Sequence, residues 1–297
     1  MTMHPGQLHV TVTTVQRLVA SQMPRWAPLP VAAVASTGTV NAVFRLGEEL
    51  SVRVPLQAGE PRSVRVQLEA EAAAGRELHG RTPFPTPEPL AVGEPGEGCP
   101  VPWSVQTWLP GMDATQDDPG GSVAFAEDLA AFISAVRGLP TRGRTFLGTG
   151  RGGDLTAHDD YRATCFERGE GLLDVAPARR LWNELRETPR DAPDAMTHGD
   201  LMPGNVLVAE GRLAGILDVG GLGPADPALE LVGAWHLLET GPRAVLRAAL
   251  AIDDDEWARG RGWALQQAMG LVWYYAESNP VMSTIGRRTL GRLLAGD

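Results

Sequence analysis

The chain has 297 residues, 43% hydrophobic and 21% charged, with 26 basic against 36 acidic side chains and a formal net charge of −10, which excludes a disordered chain and leaves one large or two modest globular domains at roughly 150 residues each. All 26 basic residues are arginine, and the acid excess is uneven: 8 Arg face 9 Asp/Glu before residue 111, and 18 Arg face 27 Asp/Glu from there on. Such a surface repels a phosphate backbone and attracts cations, so nucleic acid is excluded as the expected partner and a cationic small molecule is favoured.

Apolar positions at helical spacing (Val15, Leu18, Val19, Met23) predict a helix over 13–23, capped by Thr13 or Thr14 and stopped by Pro24. Three strand-like runs follow at 31–35, 40–46 and 50–56, joined by short turns into an antiparallel meander. In the third, Val52, Val54 and Leu56 share one face and Ser51, Arg53 and Pro55 the other. Residues 64–78 turn helical. The Pro- and Gly-dense stretch 83–102 reads as an ordered, proline-stiffened connection, because Leu90, Val92 and Val101 still offer buried positions. A strand over 103–109 ends at Pro110-Gly111, and the remainder is mainly helical except for one two-strand region around 198–218.

No apolar run approaches the roughly 20 residues of a membrane span, and the N-terminal residues do not form a leader of basic and apolar regions. Cys99 and Cys165 belong to no metal or redox spacing. A cytoplasmic protein with reduced thiols and no membrane partner is the expectation.

The chemistry lies in Thr197-His198-Gly199-Asp200-Leu201-Met202-Pro203-Gly204-Asn205, followed by a strand, a turn at Glu210-Gly211-Arg212, and a second strand that ends in Asp218-Val219-Gly220. The hairpin folds Asp218 back beside the loop carrying Asp200 and Asn205. Two carboxylates and an amide oxygen on adjacent loops suit a hard cation such as Mg²⁺, which keeps waters and takes further ligands from a nucleotide's phosphates. Phosphoryl transfer needs these parts: a carboxylate for the nucleophile's proton, an Asn and an Asp for metal, and a cation for the phosphates. Asp200 stands outside the Asn–Asp pair and suits the base. His198 qualifies as a base by its neutral-range pKa, though a supporting role toward the loop backbone fits it better.

This segment resembles the catalytic and metal loops of the aminoglycoside phosphotransferase family, small-molecule kinases of protein-kinase-like fold. The resemblance extends to Ser36-Thr37-Gly38-Thr39-Val40-Asn41, similar to the family's nucleotide-covering loop, to Trp103–Leu109, similar to its hinge, and to Gly223–Ala228 with Glu230 and Leu231. It implies an α+β, two-lobed kinase-like fold: an antiparallel-sheet lobe over 1–108 that binds nucleotide, and a mainly helical lobe over 109–297 with the catalytic loop and acceptor site. It implies Asp200 as base, assisted by His198, with Asn205 and Asp218 as metal ligands. Ser36, Thr37 and Gly38 would cover the phosphates, and Gln106 to Trp108 would meet the nucleobase. Arg53 stands where protein kinases use lysine, and Glu71, with Glu69 as rival, would pair with it. Val219 stands where Phe or Trp is commoner after the metal Asp.

Acids expected at the acceptor site are Asp159, Asp160, Glu230 and Glu277, whereas Asp253 to Glu256 reads as a helix start. Trp235, Trp263, Trp273, Tyr274 and Tyr275 are mostly core, some lining an apolar-walled cleft. The resulting expectation is transfer of the γ-phosphate of ATP or GTP, with Mg²⁺, to a hydroxyl of an aminoglycoside-type antibiotic. The alternatives are a macrolide, a peptide antibiotic, choline or a sugar as acceptor, or a silent nucleotide-binding regulator.

Overall fold

The structure is a computed structural model that describes residues 6–34, 38, 40–148 and 150–296. Helix α1 (Val12–Gln22) buries Val15, Leu18 and Val19, as their spacing predicts. Its cap is Thr11, earlier than expected, whose hydroxyl accepts the Thr14 N–H at 3.1 Å. Strands β1 (Val31–Ala33), β2 (Asn41–Leu46) and β3 (Leu50–Pro55) form the antiparallel meander. Helix α2 (Pro61–Leu78) begins earlier than its apolar pattern, because the Glu60 carboxylate accepts the N–H groups of Arg62 and Ser63 and Pro61 occupies the first turn.

The Pro/Gly-rich stretch is ordered, but it also holds a strand that the sequence reading lacks, β4 (Pro89–Gly93), which pairs with β5 (Trp103–Thr107). The five strands run in the order β1-β2-β3-β5-β4, every neighbour antiparallel. Gly93 is needed where it stands: a Cβ there would lie 2.2 Å from the fully buried indole of Trp103, whose N–H donates to the Glu94 carbonyl. Trp103 joins Phe44, Leu46, Val52, Val54, Val101 and Val105 in a core that α1 covers.

The rest is helical and carries its own larger core: α3 (Val123–Arg137), α4 (Asp159–Gly169), α5 (Ala176–Leu185), α6 (Val232–Leu237), α7 (Thr240–Ala249), α8 (Asp254–Tyr274) and α9 (Pro280–Ala295). Its β structure is richer than expected. The hairpin of β8 (Val206–Ala209) and β9 (Arg212–Ile216) gains an edge strand, β6 (Met112–Asp113), while β7 (Ala195–Thr197) pairs with β10 (Gly223–Ala225). Strands of two or three residues are too short to show an alternation. Asp253 caps α8 by accepting the Glu256 N–H at 2.7 Å, as its sequence suggests. Among the described residues no helix is long and apolar enough to cross a membrane, and Cys99 and Cys165 are free and buried.

Asp226, 1% exposed, ties β10 to α8. Its carboxylate accepts from Arg259 Nε at 3.1 Å, Trp263 Nε1 at 3.2 Å and the Ala228 N–H at 3.1 Å. Removing one partner of a buried ion pair leaves the other charge uncompensated. Asp226→Ala is therefore expected to lower unfolding free energy by about 3–5 kcal/mol, measured by urea denaturation against the wild-type chain.

Candidate active site

The hairpin β8–β9 brings two loops together. The Leu217 N–H donates to the Asn205 carbonyl at 2.8 Å, so the chain leaving β9 is tied to the loop entering β8. His198, with no solvent exposure, spans both: its Nε2–H donates to the Leu217 carbonyl at 2.9 Å and its Nδ1 accepts the Asp200 N–H at 3.3 Å. Both ring nitrogens are thereby occupied by backbone, which gives His198 the supporting role and leaves it no nitrogen for an acceptor's proton. Below the loop, the Glu230 Oε1 accepts the Gly199 N–H at 2.8 Å. Gly199 has φ +82°, a conformation open to glycine at low cost.

Asp200 is held from three sides. Its Oδ1 accepts from Arg151 Nη2 at 2.8 Å and Gln267 Nε2 at 2.7 Å, and its Oδ2 from Asn205 Nδ2 at 2.9 Å. Burial alone would push this carboxyl up, but the Arg151 guanidinium and the Gln267 amide outweigh it and hold Asp200 below the ordinary aspartate range. Arg151 and Gln267 escape a reading of the sequence, since they lie 49 and 67 residues from Asp200 in segments without motif or distinctive spacing.

Asp218 sits in a left-handed conformation, φ 54° and ψ 53°, which turns its side chain toward β3. Its Oδ1 accepts from Arg53 Nη2 at 2.9 Å. The expected partner of Arg53 was Glu71 or Glu69, and neither makes that ion pair. Glu69 pairs with Arg65 at 2.8 Å, whereas Glu71 accepts from Gln67 at 3.1 Å. Glu71 packs so closely on the turn after Asp218 that a Cβ on Gly220 would lie 2.6 Å from its Cγ. Gly220 thus leaves the room that α2 needs beside this turn.

Two cavities meet at this point. One, of about 570 Å³, runs from Val40, Gln106 and Trp108 on the sheet side to Leu271, Tyr275 and Met282 on the helical side. The other, of about 990 Å³, is bordered by Glu71, Arg144, Phe146 and Arg151. Val40, Asn41, Arg53, Asp200 and Asp218 line both. Gly38 lines the first; Ser36 and Thr37 lie outside the described residues. At the end of β5 the N–H groups of Thr107 and Trp108 donate within the sheet, to Glu88 at 3.0 Å and Glu49 at 2.7 Å. Neither can donate to a base; Gln106, Thr107, Trp108 and Leu109 line the cavity here, and Arg45 stacks over the Trp108 ring at 4.5 Å.

The acids expected at the acceptor site are placed elsewhere. Asp159 is bound by Trp182 Nε1 at 2.8 Å and by Arg186, a brace between α4 and α5. Asp160 and Glu277 are exposed and Glu230 is wholly buried, and none of the four lines either cavity. Acidic chains on amphipathic helices find arginine partners or water more readily than a cleft, and only packing decides which.

The oxygen donors suit a hard cation. The Asn205 amide nitrogen is turned to Asp200, which leaves its oxygen for a ligand, and Asp218, with Oδ1 on Arg53, lines the same cavity. No group of three or more His, Cys, Asp or Glu suited to a metal occurs among the described residues. Asn205 and Asp218 would therefore share the ion with water and a nucleotide's phosphates, the usual arrangement for Mg²⁺.

A model of the phosphotransferase enzyme family matches residues 32–263. Among curated proteins, an aminoglycoside 3'-phosphotransferase of Escherichia coli is 29% identical over 151 residues, 46% of this chain and 53% of that protein, so the chain matches about half its length. One of Streptomyces fradiae is 28% identical over 222 residues, 70% of this chain and 74% of that one. Among solved structures, the GDP complex of aminoglycoside 2'-phosphotransferase-IIIa superposes with a TM-score of 0.69 at 16% identity, covering 96% of this chain and 99% of that one. A macrolide 2'-phosphotransferase from Brachybacterium faecium gives 0.61 at 17%, covering 91% and 97%. These neighbours have the kinase-like fold.

Burial pushes the Glu230 carboxyl above the ordinary glutamate range, although the Gly199 N–H and the Arg137 guanidinium pull the other way. A raised folded-state pKa means that the native state binds the extra proton, so stability falls as pH rises through the unfolded-state value near 4.3. Glu230→Gln keeps the acceptor for Gly199 and cannot ionise. The variant's stability relative to wild type is expected to increase from pH 4 toward pH 7, read from denaturant melts across that range.

Proposed function

Because the chain belongs to the phosphotransferase enzyme family, we propose that it transfers the γ-phosphoryl group of a nucleoside triphosphate to a hydroxyl of a small-molecule antibiotic, conferring resistance by O-phosphorylation. The observation that carries this reading is the convergence of Asp200, Asn205, Asp218 and Arg53 where the two cavities meet. The sheet-side end of the 570 Å³ cavity is assigned to the nucleotide. Asp200 faces the acceptor hydroxyl and receives its proton. Its depressed pKa keeps it ionised at neutral pH, and a modest base suffices because the transferring phosphoryl carries most of the bond change. Arg53 positions the phosphates as a permanently charged planar fork. Mg²⁺ held by Asn205 and Asp218 would neutralise charge developing between the β- and γ-phosphates.

An aminoglycoside-type acceptor is favoured by the curated relatives and by the net charge of −10. A macrolide is the second reading, favoured by one observation: the helical-side wall near Asp200 is built from Met202, Leu271, Tyr275 and Met282 rather than from acids. Such a wall suits an acceptor with a broad apolar face.

The purified chain, given γ-labelled ATP or GTP, Mg²⁺ and panels of aminoglycosides and macrolides, is expected to label one panel. Asp200→Asn should cut kcat by about 10²-fold or more, the usual contribution of a positioned base, with nucleotide affinity retained. Transfer that survives Asp200→Asn would overturn the assignment, and nucleotide binding without transfer to any acceptor would favour a regulator.

A further inference from the structure

Gln267, on α8, donates one amide N–H to Asp200 Oδ1 at 2.7 Å, and what holds that amide in place lies deeper. Its Oε1 is 3.1 Å from His236 Nε2 on α6, and His236 Nδ1 is 2.8 Å from the Thr289 hydroxyl on α9. His236 and Thr289 are wholly enclosed. Chemistry sets the direction of the line. A carboxylate only accepts, so the amide nitrogen faces Asp200 and the amide oxygen faces His236; His236 Nε2 then carries the proton, and Nδ1 accepts from Thr289.

Burial pushes His236 down to about 4, so the ring is neutral at physiological pH and keeps this one tautomer. The charged groups around it are Asp200, Arg151 and Arg292, with Arg292 Nη1 and Arg288 Nη2 also donating to the His236 carbonyl at 2.9 and 3.4 Å.

An ionised carboxylate offers about four lone-pair sites. Arg151 and Gln267 take both on Oδ1, and Asn205 takes one on Oδ2. We propose that Gln267 is a positioning residue for the catalytic base: anchored through His236 and Thr289, it immobilises Oδ1 so that Oδ2 alone meets the acceptor. This rests on the phosphotransferase reading above. In the step itself, the acceptor O–H bond breaks as its oxygen bonds to phosphorus. The proton goes to Asp200 Oδ2, and the electron pair of the broken P–O bond leaves with the nucleoside diphosphate. Leu271, one turn after Gln267 on α8, lines the cleft beside Asp200, so one helix face orients both the base and the acceptor wall.

The test reads the Gln267 side-chain amide in ¹H–¹⁵N spectra of the full chain, its resonances assigned with Gln267→Met. In His236→Leu its protons are expected to exchange with water about tenfold faster than in wild type, the equivalent of one lost hydrogen bond, and His236→Gln, which keeps an N–H donor, should restore slow exchange. With an active acceptor, Gln267→Met and His236→Leu should lower kcat about tenfold while the nucleotide KM stays put, and His236→Gln should recover it. A Gln267 amide that exchanges alike in wild type and His236→Leu, or a kcat unchanged in Gln267→Met, would overturn the proposal. Because the amide exchange needs no acceptor, it stands apart from any failure to find transfer activity.

Discussion

The contact on which the site depends is the buried imidazole of His198, fixed between the Leu217 carbonyl and the Asp200 N–H. One nitrogen donates and the other accepts, so the ring locks two loops at a set separation. Asp200 and Asn205 stand on one loop and Asp218 on the other. The Leu217 N–H on the Asn205 carbonyl closes the same junction from the opposite side. With Glu230 holding the Gly199 N–H from below, Asp200, Asn205 and Asp218 are tied together through one hairpin.

Arginine gives this unit its electrostatics. Both functional carboxylates carry one, Arg53 on Asp218 and Arg151 on Asp200. A guanidinium stays charged at any working pH and offers several donors in a plane, so it can hold a carboxylate while directing other N–H groups at a phosphate. In Arg151 the Nη1 is buried with no hydrogen-bond partner among the described residues. Several acids after residue 110 are paired within the scaffold: Asp128 with Arg212, Asp159 with Arg186, Asp226 with Arg259, Glu256 with Arg137. Those pairs brace helices and turns, and the cleft is left with a few carboxylates and an apolar wall.

Much of this was legible in local patterns. The amphipathic spacing of Val15, Leu18 and Val19, the alternation of β3 and the turn between β8 and β9 each reflect burial of one face of one element, which a short window of sequence records. Strands β6, β7 and β10 were not legible, because each pairs with a partner far along the chain rather than across a short turn, and β4 lies in a Pro- and Gly-dense stretch whose composition reads as turns. Neither Glu71 nor Glu69 is the partner of Arg53, because the left-handed turn at Asp218 brings a carboxylate within reach of β3.

The sequence by itself determined the chemical types at Asp200, Asn205 and Asp218 and their nearness, since a loop and one tight hairpin bring residues so close in the chain together whatever surrounds them. Only the tertiary structure decided what those groups are bonded to. Arg151 and Gln267 reach Asp200, and His236 and Thr289 back Gln267, from a loop and three helices far apart in the chain, an arrangement that follows from how α6, α8 and α9 pack. A hydrogen bond fixes two atoms in space and leaves no periodic trace along the chain.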